Sequence, residues 1–318
     1  MNKELIDNLQ ILEDYYIILW KRDRLSKDNF RRMAYNKAIK TIEKIEFKIN
    51  FIKQVKNLKG IGTSILEKIQ EFLLNGKINK VEEVKPLLNI KTDKDEIVEL
   101  FINIWGVGDV KANDLYNKGY RTLEDIKKNI NILNRQQQIG FKYYDDLLKK
   151  IPRMNIIAIQ TIIRYILNTS FGKNTYKLQV AGSYRRGKSF SNDIDILISS
   201  KYFTLKQTVD VLIKHNIISD VLSMQNEKFM GVGHCPRSDE PYFRIDIEFL
   251  PEEEFAYGLL YFTGSKDFNK EIRQHAKNMG YTLNQHGLKN KNGDYIKAKT
   301  EQDIFKILDL QYLEPKKR

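Results

Sequence analysis

Gly182-Ser183-Tyr184-Arg185-Arg186-Gly187, followed six residues on by Asp193-Ile194-Asp195-Ile196-Leu197-Ile198, is the stretch on which the fold turns. Its second half alternates apolar and polar residues and is rich in β-branched ones, the pattern of a half-buried strand. Side chains on a strand alternate between faces. Asp193 and Asp195 therefore share one face, while Ile194 and Ile196 enter a core. Two neighbouring carboxylates repel unless a cation lies between them, and an all-oxygen pair suits a hard ion such as Mg²⁺. Gly182 and Ser183 let backbone N–H groups and a hydroxyl approach a phosphate. Arg185 and Arg186 add charge for its oxygens. A solvated surface strand would share the alternation but not the phosphate-binding loop attached to it.

A second alternating strand, Arg244-Ile245-Asp246-Ile247-Glu248-Phe249-Leu250, offers a third carboxylate in Asp246. Two Mg²⁺ roughly 3.5–4 Å apart would activate an attacking hydroxyl and hold a leaving pyrophosphate. Asp246 would ligate the first ion and take the hydroxyl proton; Asp193 and Asp195 would bridge both. No protein nucleophile is needed, because in-line phosphoryl transfer rests on positioning and charge neutralisation.

The chain has 318 residues, room for several domains, and carries 54 Lys and Arg against 41 Asp and Glu, a net charge of +13. That excess points to a polyanion, nucleic acid before an anionic membrane. A single cysteine, Cys235, gives no disulfide framework and fits a reducing intracellular compartment. For a cellular eukaryotic protein that is the nucleus, and for a viral one the host cytoplasm or the virion. His234 beside Cys235 does not make a zinc site. No apolar run approaches the roughly 18 residues of a membrane span, and Met1-Asn2-Lys3-Glu4 lacks signal-peptide form.

The first ninety residues read as helices. Leu5, Leu9 and Leu12 recur at helical spacing, and Phe30, Met33, Ala34, Ala38, Ile42 and Ile45 form a second apolar face. Arg31, Arg32, Lys37, Lys40 and Lys44 lie opposite it. Residues 1–87 hold 18 basic and 12 acidic residues, an excess of six that favours a phosphate partner. Gly60-Ile61-Gly62 before a helix is a helix-hairpin-helix signal, in which backbone N–H groups face a DNA phosphate. Gly106-Val107-Gly108 repeats it about 46 residues later. Two such hairpins hold a backbone without reading sequence. Gly76, Pro86 and the charged run Lys91 to Glu96 mark a linker.

This order of parts, ending in Tyr261-Phe262-Thr263-Gly264-Ser265, resembles the family X DNA polymerases of the beta type from about Leu9 to the C-terminus. The resemblance implies an α+β architecture in four parts. These are a helical lyase domain at 1–87, a helical duplex-binding subdomain at 88–150, a nucleotidyltransferase-type palm at 151–256 and a small α+β subdomain at 257–318. It implies metal ligation by Asp193, Asp195 and Asp246. It matches Gly182, Ser183, Arg186 and Asn192 to triphosphate contacts. Tyr261, Phe262 and Gly264 match the segment lining the nucleotide sugar, and Asn269 and Arg273 match minor-groove contacts. Backbone carbonyls of Lys56, Leu58 and Ile61, and of Ile102, Ile104 and Val107, match monovalent-cation sites for Na⁺ or K⁺. The implied cofactors are two Mg²⁺, with Mn²⁺ as a substitute. The implied substrates are gapped or nicked double-stranded DNA and deoxynucleoside triphosphates, handled by a monomer.

In the same family the N-terminal domain is a 5′-deoxyribose-phosphate lyase. Its Schiff-base lysine matches Lys68, and Arg31, Tyr35, Lys56 and Lys80 match residues around the 5′-phosphate. A lysine attacks an aldehyde only when neutral, and neighbouring cations with partial burial favour that form. Several positions depart from the pattern. Ser64 and Phe30 replace a basic residue and a histidine. Glu248 stands where an arginine changes partners on closure, with Gln285 and His286 at its expected partners, and Lys266 replaces an acid. Glu248 is expected to contact Gln285 or His286 when the C-terminal subdomain closes over a nucleotide. Other readings are a template-independent nucleotidyltransferase and a DNA-binding scaffold without activity; the intact aspartate triad weighs against the scaffold.

Overall fold

The computed structural model describes residues 2–23, 25–89, 92–236 and 241–318. Met1 and Lys91, used above in reading the N-terminus and the linker, lie outside them. Met1–Asn103 with Val107–Asn129 forms one compact unit, and Ile104–Gly106 with Ile130–Arg318 forms the other.

The first unit is helical: α1 (Lys3–Asp23), α2 (Ser26–Ile42), α3 (Thr63–Asn75), α4 (Asn79–Val84), α5 (Asp93–Ile102), α6 (Asp109–Asn117) and α7 (Leu123–Lys128). Leu5, Leu9 and Leu12 of α1 are buried in one cluster with Ala38, Ile39 and Ile42 of α2. Each fully buried leucine contributes about 1.5–3 kcal/mol. The second apolar face is only half as expected. Ala38 and Ile42 are buried, but Phe30 is 70% and Met33 41% exposed. The buried stripe of α2 runs through Asp28, Tyr35, Ala38, Ile39 and Ile42. At 3.6 residues per turn, Phe30 and Met33 fall on the opposite side.

The charged run read as a linker is instead the start of a helix. Thr92 accepts a hydrogen bond from the Asp95 N–H while Asp95 accepts from the Thr92 N–H. Asp93, Asp95 and Glu96 then sit in the first turn of α5, where the helix dipole favours carboxylates.

The second unit runs α8 (Arg135–Lys142), α9 (Tyr144–Leu147), β1 (Ile151–Pro152), α10 (Arg153–Phe171), β2 (Tyr176–Val180), α11 (Gly182–Arg185), β3 (Phe190–Ser191), β4 (Asp193–Ser200), α12 (Leu205–Lys214), β5 (Ile218–Met224), β6 (Lys228–Gly233) and β7 (Phe243–Phe249). It ends with α13 (Phe255–Thr263), α14 (Lys266–Asn278), β8 (Thr282–Asn284), β9 (Gly287–Lys289), β10 (Tyr295–Ile296) and α15 (Glu301–Ile307). One sheet has the order β2-β4-β7-β6-β5. Ile194, Ile196 and Ile198 share a core with Ile159 and Ile163 of α10 and with Val209 and Leu212 of α12. The alternation then leaves Asp193 and Asp195 on the other face. β8, β9 and β10 form a small second sheet, and α13, α14 and α15 share a core with it. The architecture is α+β.

Candidate active site

Two strands bring the three aspartates together. β4 and β7 pair in parallel, with Asp195 opposite Asp246 and Asp193 opposite Arg244. A slip of one residue would turn every side chain of a strand to the other face, so this register sets the site. One carboxylate oxygen from each of Asp193, Asp195 and Asp246 lies within 4.8 Å of the others. Burial first, then the charges of Asp193 and Asp246, pushes the Asp195 carboxyl up to about 7 against the pull of Arg244 and Arg186. Burial also raises Asp246, with Arg244 opposing.

A residue that the sequence reading passed over sits in this cluster. Arg244 Nη2 donates to Asp193 Oδ2 at 2.9 Å and to Asp246 Oδ2 at 2.7 Å. Its position two residues before Asp246, on the same strand face, was the available signal. The other oxygen of Asp246, Oδ1, is buried without a hydrogen-bond partner. An orphaned carboxylate oxygen among three converging acids fits a divalent cation of the Mg²⁺ class. Gly182, at φ +53°, leads directly into the cluster, and a Cβ there would overlap the Asp195 carboxylate.

Beside the aspartates lies a cavity of about 570 Å³. It is lined by Gly182, Ser183, Arg186, Asn192, Asp193, Asp195, Tyr261, Phe262, Gly264, Asn269 and Arg273, together with Lys266 and Lys270. All nine residues that the sequence matched to a nucleotide therefore meet in one place; Lys270 was not among them. Ser183 Oγ donates to Ser191 Oγ at 2.7 Å. Arg186 donates to the Thr263 carbonyl at 2.5 Å, tying the Gly-Ser loop to the end of α13. Asn269 Nδ2 donates to the Tyr261 carbonyl at 2.7 Å, and Arg273 lies over the Tyr261 ring at 4.6 Å.

Arg185 does not serve as the sequence suggested. Its guanidinium donates to both oxygens of Glu301, at 3.0 and 2.6 Å, and to Thr263 Oγ1. Arg318 donates to the same Glu301 at 2.6 Å. Burial alone would raise the Glu301 carboxyl, but the hydrogen bonds from Arg185 and Arg318 outweigh it and hold the group below its ordinary 4.5. Its contribution to stability is therefore complete above that value and is lost as pH falls through the lowered one. Glu301→Ala strands two guanidinium groups and is expected to cost about 3–5 kcal/mol at pH 7. Urea unfolding at pH 7 and pH 3 checks this: the deficit shrinks at pH 3 if the ion pairs are its source.

The departures from the family pattern have mixed outcomes. Glu248 is buried and its Oε2 has no hydrogen-bond partner. Burial pushes it up to about 7, opposed by Lys228 and His286. His286 does not touch it by hydrogen bond; its Nδ1 lies 2.7 Å from Glu254 Oε2 and its Nε2 3.1 Å from the Gln285 amide. Glu254 is the carboxylate hydrogen-bonded to this histidine here; the contact expected of Glu248 on closure over a nucleotide remains a proposal.

In the first unit, a chain of contacts links most of the residues matched to a 5′-phosphate. Lys68 Nζ donates to Glu71 at 3.2 Å, and Glu71 accepts from the Asn79 N–H. The neighbouring Lys80 lies 6.0 Å from the Tyr15 ring, which packs on Tyr16. Tyr16 stacks on Tyr35 and lies under Arg31. Burial pushes the Tyr35 hydroxyl up to about 12. Among the described residues no contact joins Lys56 to this set. The charged group touching Lys68 is a carboxylate rather than the cations expected.

The two hairpins share one feature. Gly62 and Gly108 have φ of −89° and −90°, open to any residue, and cap α3 and α6 without a side chain. A Cβ at either would meet nothing within 4 Å. Helices α5, α7, α8, α12 and α15 are each capped by a Thr or Asn side chain. Among the described residues nothing calls for glycine at Gly62 or Gly108; a backbone open to close approach from outside does. Gly60 and Gly106, at φ +102° and +86°, make the turns before them.

Comparison with known proteins agrees with this layout. Residues 1–78 match a helix-hairpin-helix domain, 99–148 the fingers domain of DNA polymerase lambda, 150–252 the DNA polymerase beta palm and 258–318 the DNA polymerase beta thumb. DNA polymerase lambda of Rattus norvegicus is 33% identical over 98% of this chain and 56% of its own length. DNA polymerase lambda of Arabidopsis thaliana is 32% identical over 91% of this chain and 58% of its own. DNA nucleotidylexotransferase of Xenopus laevis is 29% identical over 99% of this chain and 69% of its own. The chain thus spans somewhat over half the length of the two polymerase lambda relatives. With these four domains in order along it, the chain belongs to the family X DNA polymerases.

Proposed function

We propose that this protein is a template-directed DNA polymerase that fills short gaps, adding deoxynucleotides to a primer 3′-hydroxyl, with 5′-deoxyribose-phosphate lyase activity in its N-terminal helices. The carrying observation is the convergence of three carboxylates beside a cavity lined by Ser183, Arg186, Tyr261, Asn269 and Arg273. Asp193, Asp195 and Asp246 would hold divalent ions, Mg²⁺ or Mn²⁺. Bound there, the ions supply charge neutralisation and a more acidic primer hydroxyl. Ser183, Arg186 and Asn192 hold the triphosphate, and Arg244 keeps Asp193 and Asp246 facing one another. Tyr261, Phe262 and Gly264 crowd the sugar. Asn269 and Arg273 read the minor groove of a base pair, which favours a templated reaction.

The division into parts at 1–87, 88–150, 151–256 and 257–318 belongs to the same proposal. So do a monomer in a reducing intracellular compartment, and Na⁺ or K⁺ on the hairpin carbonyls. Among the described residues no helix is long and apolar enough to cross a membrane. Lys68 forms the Schiff base, with Arg31, Tyr35, Lys56 and Lys80 near the 5′-phosphate.

A duplex with a one-nucleotide gap, and the same primer without its template, test the reading. Extension of the gapped primer alone supports it. Equal extension of both would favour the terminal-transferase reading suggested by the Xenopus laevis relative. Affinity for the gapped duplex should fall about a thousand-fold between 50 and 200 mM salt if about six phosphates are contacted. Fluorescence anisotropy across that range checks it; a flat response refutes a phosphate-binding role for the hairpins.

A further inference from the structure

Thr263 ends α13 and directly precedes Gly264, in the segment assigned above to the nucleotide sugar. It is fully buried, which costs stability unless its polar groups are hydrogen-bonded. Its Oγ1 donates to the Leu259 carbonyl at 2.6 Å and accepts from Arg185 Nη1 at 2.6 Å. Its carbonyl accepts from Arg186 Nη1. Two consecutive arginines at the end of α11 thus hold one threonine, one by its side chain and one by its backbone. Thr161 and Thr169 of α10 also bond the carbonyl four residues back, on an exposed helix face. Helix geometry therefore accounts for the Leu259 bond, and the Arg185 bond needs another reason.

Arg185 is itself fixed from behind. Its Nη1 and Nη2 donate to the two oxygens of Glu301. Arg318, whose side chain is fully buried, donates to Glu301 Oε1 as well. A buried chain from Arg318 through Glu301 and Arg185 thus ends on the Thr263 hydroxyl. At the other end of the segment, Asn269 Nδ2 pins the Tyr261 carbonyl. Tyr261, Phe262 and Gly264 line the cavity, while Thr263 is turned into the protein. A ribonucleotide differs from a deoxynucleotide by one hydroxyl. A hydrophobic pocket rejects a substrate that merely adds a hydroxyl by only about 10²-fold. Stronger exclusion needs a wall that cannot recede. Close packing gives low compressibility, and hydrogen bonds at both ends of the segment add direction to that stiffness.

We propose that Arg185 and Thr263 are positioning residues for sugar selection. The chain from Arg318 through Glu301 and Arg185 holds Thr263, and with it the backbone from Tyr261 to Gly264, close enough to the nucleotide to exclude a 2′-hydroxyl. The inference rests on the proposed function in taking this cavity as the nucleotide site.

The test uses the full chain, Mg²⁺ and a duplex with a one-nucleotide gap opposite a template guanine. Deoxycytidine triphosphate and cytidine triphosphate are supplied separately, and the ratio of their kcat/KM values is read. A variant that folds only in part lowers both rates and leaves the ratio unmoved. Thr263→Val removes the hydroxyl and keeps the shape. It is expected to lower the ratio about 10-fold, the worth of one hydrogen bond to a charged group, through a lower KM for cytidine triphosphate, with the deoxycytidine values within about 3-fold. Thr263→Ser keeps the hydroxyl and should keep the wild-type ratio. Arg185→Lys tests the same bond from the other side. Lysine lacks the planar fork that reaches Glu301 and Thr263 together, so the ratio should fall as in the valine variant, and the two changes combined should lower it no further. A ratio at or above the wild-type value in Thr263→Val overturns the proposal. So does a double variant in which the two falls add in full, and so does an equal fall in Thr263→Ser. A wild type that adds both nucleotides equally well overturns it and spares the polymerase reading. A wild type that adds neither overturns both.

Discussion

Asp246→Ala is expected to slow nucleotide addition by about 10³–10⁴-fold, with gapped-DNA affinity unchanged within a few-fold. The reason lies in the strand register. Asp246 stands directly opposite Asp195, with one oxygen held by Arg244 and the other buried without a partner. It is the acid assigned to the primer hydroxyl, so both ion binding and proton transfer depend on it. In the function proposed, DNA affinity rests on hairpin backbone and lysines elsewhere in the chain. Arg244 still pairs with Asp193 in the variant, so no buried guanidinium is stranded. Melting of the metal-free variant should match the wild type or exceed it, because one of three mutually repelling carboxylates is gone. The rise in melting temperature on adding Mg²⁺ should shrink. Single-turnover extension and anisotropy separate the two effects; parallel loss of binding and activity would make Asp246 a structural residue.

Lys68→Ala should remove the borohydride-trapped adduct with a 5′-deoxyribose-phosphate end while polymerisation stays within about 3-fold. Lys68 is partly exposed and its ion pair to Glu71 is of the kind worth about 0–1 kcal/mol. The fold therefore survives the change. The competing amine is Lys80, whose hydrogen bond to Glu83 raises it above its ordinary value and keeps it charged. A charged amine does not attack an aldehyde. Trapping in the single variants and in Lys68→Ala/Lys80→Ala decides between them. A full adduct in Lys68→Ala, lost only in the double variant, would move the chemistry to Lys80.

The aspartate cluster was legible in the sequence because strand alternation is a local rule. Asp193, Asp195 and Asp246 could be placed on one face from their own neighbours. What alternation could not supply was the pairing of β4 with β7, separated by α12, β5 and β6, and with it the bridging role of Arg244. The same limit explains Arg185. Next to Arg186 it looked like a second phosphate contact, but its partner Glu301 lies 116 residues away. The helical periodicity of α1 was correct because α1 packs along its whole apolar stripe. That of α2 failed at Phe30 and Met33, since composition alone cannot say which of two apolar stripes meets a neighbour. Glu254 was overlooked beside His286 because its position, just before α13, carries no pattern that points to a histidine 32 residues on.

The central claim is that the three aspartates form a divalent-ion centre used for templated addition. Mn²⁺ bound to the full chain can be counted by EPR in the presence of a one-nucleotide-gapped duplex and a matching non-hydrolysable nucleotide. The expected result is about two ions per wild-type chain, at most one in Asp246→Ala, and an uptake that disappears when the nucleotide does not match the template base. A wild-type chain that takes up no ion, or the same number with and without Asp246, would contradict it.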